Sequence, residues 1–430
     1  MKGRAVYIKT FGCQMNEHDT ERMLGILASK GFIDVDDPKK ADIIIFNTCA
    51  IREKAEQKFY SSIGRVKYLK NRNPKLRIIV SGCSAKIQGE KLIHRMPYID
   101  YIVGPDNIDK LEFIVDDNCE SKVFVEENPF ISQKDLPALR KDTLKAWVNI
   151  IYGCNNYCAY CVVPYTRGRE RSRASESIIK EIKSIAEAGY KEVTLLGQNV
   201  NSYRDKDIDF PKLLIKINEI EGIERIRFVT SHPKDLSKEL VDVMRDCDKV
   251  CEHIHLPLQA GSDKILKLMN RKYCYEEYKE KVNILRENIP EISITSDIIV
   301  GFPQETDEDF EKTLHALEEI QFDGIFAFKF SPRPMTSAQK LEGHISDKIK
   351  SQRLDEVLKL QNEITERKNK IYEGTIQEVL VEGKDENGLT IGRTRTNKIV
   401  KINCNISSGS IIKVKISKAY RHSLEGEVIQ

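Results

Sequence analysis

The apolar positions of this chain follow two alternating patterns. Continuous runs of β-branched and aromatic residues, Ala5-Val-Tyr-Ile-Lys-Thr-Phe-Gly-Cys13, Asp42-Ile-Ile-Ile-Phe-Asn-Thr-Cys49 and Leu76-Arg-Ile-Ile-Val-Ser-Gly-Cys83, are separated by segments of helical spacing at 17–30, 52–70 and 87–94. Runs without polar alternation describe strands buried on both faces, so this part of the chain predicts a parallel sheet covered by helices. Ligand sites in such sheets lie beyond the carboxyl ends of the strands. Each run ends in a cysteine, which puts Cys13, Cys49 and Cys83 on one rim.

From residue 147 the alternation of strand and helix repeats. Strand-like segments at 147–152, 192–199, 226–230, 253–257, 292–300 and 324–330 are spaced by helical stretches such as 176–188, 237–245, 262–269, 275–287 and 307–319. Six such units are too few for a closed eight-stranded barrel and enough for a curved, partial one, which leaves a lateral opening. After a helical stretch at 346–373 the pattern changes to short strands at 374–382, 389–392, 399–402, 410–416 and 426–429, divided by glycine-rich turns. That is the pattern of a small antiparallel barrel. The expected fold is α/β with three domains: 1–130, a parallel sheet; 140–368, a partial (β/α)6 barrel; and 369–430, a small β-barrel. The charged stretch between 115 and 145, with Pro129 and Pro137, reads as a linker on which the first domain could swing.

A length of 430 residues agrees with more than one domain, and 40% apolar with 31% charged residues is a globular composition. No apolar run is long enough to span a membrane and the N-terminus enters a strand at once, so the expected location is the cytoplasm. The net charge of +3 is unevenly placed. Residues 367–430 hold twelve Lys/Arg and seven Asp/Glu, a local +5 that leaves the remainder at −2. A basic end domain suits nucleic acid.

Eleven cysteines, an odd number scattered through a reduced compartment, do not form a disulfide framework. Cys154, Cys158 and Cys161 stand as Cys-x3-Cys-x2-Cys directly after a strand. Structural zinc wants a fourth ligand, usually in a second pair, and none is nearby. Three thiolates hold three irons of a four-iron cluster and leave one iron open to a reactant. The triad at Cys13, Cys49 and Cys83 allows the same reading, against the plainer one of three buried cysteines. Cys119, Cys247, Cys251, Cys274 and Cys404 read as ordinary thiols.

The stretch Gly153-Cys-Asn-Asn-Tyr-Cys-Ala-Tyr-Cys-Val-Val-Pro-Tyr-Thr-Arg-Gly-Arg-Glu-Arg-Ser-Arg173 resembles the radical S-adenosylmethionine methylthiotransferase family. With Thr10-Phe-Gly-Cys-Gln-Met-Asn-Glu17 and Asn47-Thr-Cys-Ala-Ile-Arg-Glu-Lys-Ala55, it resembles the branch that acts on N6-isopentenyladenosine at position 37 of tRNA. The resemblance implies a radical [4Fe-4S] cluster on Cys154, Cys158 and Cys161 and an auxiliary [4Fe-4S] cluster on Cys13, Cys49 and Cys83. It also implies two uses of S-adenosylmethionine: one methylates cluster-associated sulfur, and the other gives the 5′-deoxyadenosyl radical that activates C2–H. A radical is the physical requirement, because that hydrogen is not acidic enough for a base. Two alternatives stand beside this reading: the same chemistry on N6-threonylcarbamoyladenosine, and a non-catalytic iron–sulfur RNA-binding regulator.

By the same resemblance, Tyr160, Gln198, Asn199, Ser231, His232, Gln259, Asp297 and Gly301 are candidates for binding S-adenosylmethionine, although each strand-end segment could also be a tight turn. Ser331-Pro-Arg-Pro-Met-Thr-Ser-Ala338 departs from the family pattern, where Gly-Thr-Pro would stand at 335–337. Asn16 and Arg52 are candidates for positioning substrate or cluster, with capping or surface roles as alternatives. Arg167, Arg169, Arg171 and Arg173 are read as forks for substrate or cofactor anions, against a solvated charge run. Arg393, Arg395 and Lys398, in a module resembling the RNA-binding TRAM domain, are read as phosphate contacts. Expected partners are a tRNA anticodon stem-loop, an electron donor such as flavodoxin or ferredoxin, and a sulfur or cluster carrier; no membrane is expected, and the protein should act as a monomer.

Overall fold

The computed structural model describes residues 4–50, 53–116, 119 and 121–429. Six strands, Arg4–Thr10, Phe32–Asp34, Ile43–Thr48, Arg77–Gly82, Tyr101–Val103 and Val123–Phe124, form one parallel sheet. Its order is second, first, third, fourth, fifth, sixth. Successive residues of one strand enter different cores: Ile43 and Ile45 pack with Leu24 and Leu27 of helix Gln14–Ser29, whereas Ile44 and Phe46 pack with Phe59 and Ile63 of helix Glu53–Arg72. Burial on both faces is what the unbroken isoleucine run encodes. The helix expected at 87–94 is two short helices, Cys83–Gln88 and Glu90–Arg95, divided by Gly89 at φ 48°.

The central strands Lys145–Asn149, Glu192–Leu196, Arg225–Phe228, His253–His255, Ser293–Val300 and Gly324–Lys329 are parallel and adjacent in chain order, in two sheets of three joined through an Ile226–Val250 bridge. Among the described residues no pairing joins the first of them to the last, so the barrel is open on one side. Helix Phe210–Asn218, which the sequence reading did not single out, is capped by the Asp209 side chain accepting from Lys212 N at 3.0 Å. Helix Asp347–Lys370 packs on the outer face of the last strand.

The C-terminal strands Ile376–Lys384, Thr390–Thr394, Ile399–Ile402, Ile411–Ala419 and Leu424–Val428 close into a barrel. One neighbouring pair, Ile399–Ile402 with Leu424–Val428, is parallel, contrary to the all-antiparallel expectation. Five strands in a ring cannot alternate direction all the way round, so closure forces at least one parallel pair. The barrel seats on the amino ends of the central strands. Lys145 pairs with Glu382 at 3.1 Å, Arg225 and Arg227 donate to the carbonyls of Arg393, Thr394 and Arg395, and Lys398 pairs with Asp323 at 3.1 Å.

The 115–145 stretch is no free hinge. Leu139 N donates to Glu21 O at 2.8 Å, Lys134 pairs with Asp109 at 2.5 Å, and Arg140 pairs with Glu181 at 2.6 Å, which tacks the segment along helix Gln14–Ser29 and onto the central domain. The expected swing of the first domain is not supported by this packing.

Candidate functional site

The three N-terminal cysteines follow three neighbouring strands. Cys13 precedes helix Gln14–Ser29, Cys49 follows Ile43–Thr48, and Cys83 opens helix Cys83–Gln88. Thr48 pairs in register with Gly82, so Cys49 and Cys83 leave adjacent strands at the same level. Strand order reverses between Arg4–Thr10 and Ile43–Thr48, the switch point at which open α/β sheets take ligands. Asn16, wholly buried, ties these ends together: its Nδ2 donates to Asn47 Oδ1 at 3.0 Å and to Thr48 O at 3.3 Å, and its Oδ1 accepts from Cys13 Sγ at 3.4 Å. It is therefore a scaffold for the triad. Arg52 lies outside the described residues.

The second triad occupies the loop after Lys145–Asn149 and the short strand Ile151–Tyr152. Cys154 N donates to Gly168 O at 3.2 Å, Cys161 N to Cys158 O at 2.9 Å, and Ala159 N to Met269 O at 2.9 Å. Arg271, which the sequence reading missed, reaches Cys158 Sγ and the Tyr160 hydroxyl at 3.3 Å each and donates to Pro257 O at 3.0 Å. Its only sequence signal is a basic residue after a helix end, which says nothing about what it touches. Burial, with a smaller contribution from Cys158, pushes the Cys154 thiol up to about 11 and the Cys161 thiol up to about 12.

The two triads approach each other. Val162, next to Cys161, packs with Ala50, next to Cys49, and with Cys83 itself. Burial raises the Cys83 thiol and the nearby Arg167 guanidinium partly offsets it. Arg167 is held by Asp19 at 2.6 Å with both side chains buried, and Arg171 pairs with Asp106 at 3.0 Å. Arg173 pairs with Glu181 at 2.7 Å. These three arginines are expected from the sequence as forks for substrate or cofactor anions; the structure uses them instead to fasten the first domain to the loop of the second cysteine triad and that loop to its own domain. Arg169 alone of the four is exposed.

Among the described residues no group of three or more His, Cys, Asp or Glu side chains could hold a single metal ion. Thiolates bound to separate irons need not converge on one point, so triads of this kind fit a cluster with an open iron.

Unpaired polar groups gather at the carboxyl ends of the central strands. Both side-chain polar atoms of Asn149 and of Gln198, with Ser231 Oγ, His232 Nε2 and Gln259 Oε1, are buried without a hydrogen-bond partner. Leaving a buried polar group unpaired costs about 1–3 kcal/mol, and a gathering of them at one rim fits a ligand rich in donors and acceptors. An amino acid joined to a nucleoside has that character. Gln198, Ser231, His232 and Gln259 were expected there; Asn149, the polar end of an apolar strand, was overlooked. Burial lowers the His232 imidazole to about 2, with Arg271 and Lys234 adding to the effect, so it presents a neutral ring.

The remaining candidates divide. Asn199 braces the segment carrying His232, donating to Asp235 at 2.7 Å and accepting from His232 N at 3.1 Å. Asp297 lies on the inner wall, 3.5 Å from His255 Nε2. Tyr160 accepts from Arg271, and Gly301 serves a turn, its N donating to Glu305 at 2.7 Å. In the C-terminal barrel, Arg395 forks onto Glu252 at 2.7 and 2.8 Å, Arg393 pairs with Glu382 at 3.1 Å, and Lys398 pairs with Asp323. Expected as phosphate contacts, these three are engaged inside the protein, because the sequence shows their charge and not the acids facing them. Lys413 and Lys415 on the outer strand are exposed.

Comparison with known proteins agrees with this arrangement. The chain matches the Radical SAM superfamily over residues 148–317, the Uncharacterized protein family UPF0004 over 5–104 and the TRAM domain over 370–429. It is 72% identical to the tRNA-2-methylthio-N(6)-dimethylallyladenosine synthase of Thermodesulfovibrio yellowstonii, covering 100% of both chains. It is 49% identical to the synthase of the same name from a Thermoanaerobacter species, covering 100% of this chain and 94% of that one. In fold it is similar to the radical S-adenosylmethionine methyltransferase TsrM from Kitasatospora setae, with a TM-score of 0.57 at 15% identity over 78% of this chain and 77% of that one. The chain therefore belongs to the tRNA-2-methylthio-N(6)-dimethylallyladenosine synthase family of radical S-adenosylmethionine enzymes.

Proposed function

We propose that this protein inserts a methylthio group at C2 of N6-dimethylallyladenosine, also called N6-isopentenyladenosine, at position 37 of tRNA. The observation that carries the reading is the meeting of two cysteine triads across the Val162–Ala50–Cys83 contact, together with a gathering of unpaired polar groups at the carboxyl ends of the central strands. Two [4Fe-4S] clusters and S-adenosylmethionine, when bound, supply the sulfur, the methyl group and the one-electron chemistry that an unactivated C–H bond needs. Cys13, Cys49 and Cys83 would hold the auxiliary cluster, and Cys154, Cys158 and Cys161 the radical one. Asn149, Gln198, Ser231, His232 and Gln259 would bind and orient S-adenosylmethionine. The neutral His232 ring can accept or donate one hydrogen bond without adding charge.

On this reading residues 1–130 deliver sulfur, 140–368 carry the radical chemistry and 369–430 hold RNA through exposed lysines such as Lys413 and Lys415. The RNA partner is the anticodon stem-loop; a flavodoxin or ferredoxin would supply electrons and a carrier would supply sulfur, to a protein acting as a monomer in the cytoplasm. No helix among the described residues is long and apolar enough to cross a membrane.

Anaerobic reconstitution with iron and sulfide, then reaction with S-adenosylmethionine and a low-potential one-electron reductant on isopentenylated and threonylcarbamoylated stem-loops, tests this, followed by nucleoside mass analysis. The expected result is about eight irons per chain and a 2-methylthio product from the isopentenylated RNA alone. Product from the threonylcarbamoylated RNA, or cofactor cleavage with no product from either, would overturn it.

A further inference from the structure

The first and last strands of the partial barrel edge its lateral opening, and both turn aromatic side chains inward. On Lys145–Asn149, Ala146 and Val148 are packed in the main core, while Trp147, on the other face, is half-buried. On Gly324–Lys329, Ile325 and Ala327 join the core that includes Val357 and Ile364 of the outer helix. That leaves Phe326 and Phe328 on the inner face, 57% and 39% exposed. Single exposed apolar residues are common, but two phenylalanines at successive inward positions of one edge strand, with a tryptophan inward on the other edge strand, make a concentrated apolar surface along the open side.

Contacts link this apolar wall to the rim of unpaired polar groups. Phe326 pairs in register with Asp297, and its ring meets that of His255 edge-on at 6.0 Å. The carbonyl of Asp297 accepts from Gln259 N at 2.9 Å, and Gln259 carries one of the unpaired buried atoms of the rim.

We propose that Trp147, Phe326 and Phe328 are substrate-positioning residues, which take the purine ring and the branched hydrocarbon tail of the dimethylallyl-adenine nucleotide through the lateral opening. The proposal rests on the function given above and adds the place where the base binds and how it is selected. A nucleotide turned out of its loop loses stacking and regains it on aromatic side chains. The five-carbon tail gains by leaving water against phenyl rings. A threonylcarbamoyl group carries a carboxylate, which the same wall would strip of water without offering a partner. The wall therefore favours one modified adenosine over the other, and does so with no clash.

Trp147 is the only tryptophan in the chain, so its emission reports on occupancy directly. In the anaerobically reconstituted full-length protein, affinities are measured for anticodon stem-loops bearing dimethylallyladenosine, threonylcarbamoyladenosine or plain adenosine, together with tryptophan emission. The dimethylallyl RNA should bind most tightly and shift the emission. Phe326→Ala and Phe328→Ala should each narrow the preference for the dimethylallyl RNA over the unmodified RNA by about tenfold, the share of the five-carbon tail, while any loss of purine stacking falls on both RNAs alike. Phe326→Leu, which retains contact with the tail, should lose less than Phe326→Ala. Unchanged preference in the alanine variants, with thermal melting confirming that they fold, or an emission blind to the dimethylallyl RNA, would overturn the proposal. If the unaltered protein formed methylthio product and showed the preference while these variants kept it, this inference alone would fail. If the unaltered protein made no such product, the function itself would fail.

Discussion

Gly82 and Gly153 each stand one residue before a cysteine of a triad, Cys83 and Cys154, with positive φ, 94° and 71°. A Cβ on Gly82 would lie 2.4 Å from Thr48 O, and one on Gly153 would lie 2.1 Å from Arg169 O. Both backbones must pass this closely for the thiols to arrive where they do, and neither neighbour is a side chain that could move aside. Gly82→Ala is expected to lower bound iron from about eight to about four per chain, leaving the electron paramagnetic resonance signal of the radical cluster in place. Glycine before cysteine was visible in the sequence, but the reason for it was not, since the clashing atom belongs to a neighbouring strand for Gly82 and to a returning loop for Gly153. Burial also separates His232, at about 2, and His253, at about 3, from the ordinary histidine range. Both folded values lie below the unfolded one, so the unfolded chain binds more protons as pH falls below about 6.5, and stability is lost in that direction. The slope is at most about 1.4 kcal/mol per pH unit for each ring. Urea unfolding at pH 7 and pH 5 should show this loss, and His253→Gln should reduce it.

Among the elements, helix Gln14–Ser29 does more than cover a sheet. It begins next to Cys13 of the first triad, offers Asp19 to Arg167 in the loop of the second triad, and through Arg22 reaches the Tyr152 hydroxyl at 3.1 Å. One rigid rod thus sets the distance between the triads. A buried pair broken on one side leaves an uncompensated charge at a cost of about 3–5 kcal/mol, so Arg167→Met should lower unfolding stability by that order. Asp19→Asn combined with Arg167→Met should recover part of the loss, which a double-mutant cycle in urea would measure. The strands and most helices were legible because buried strands and helix faces write themselves as apolar periodicity. The run Arg167–Arg173 was legible as charge only; its partners Asp19, Asp106 and Glu181 come from three separate segments, and local sequence cannot pair them.

At the scale of the molecule, the two flanking units bound the partial barrel from opposite ends. The N-terminal sheet faces the carboxyl rim, touching the loop after the first strand through Arg167 and the loop after the last through Glu56, 4.0 Å from Arg333. The small barrel lies under the amino ends, from Lys145 on the first strand to Asp323 before the last. Arg395→Ala removes the fork onto Glu252 and the bond to Val250 O, and is expected to loosen this seat. Limited proteolysis should then cut near 371–375 while the remaining core resists. The order of the three units was legible, because each has its own hydrophobic grammar; the seating was not, because it depends on single acids scattered at strand starts.

The side gap between Trp147 and Phe326 carries a kinetic consequence. With a floor of five strands and a roof of six, a nucleotide that enters sideways must back out along the track it came in on, now carrying a bulkier sulfur substituent past the same rings. Departure would then be slower than arrival, and the first turnover in a rapid-quench trace would outrun those that follow.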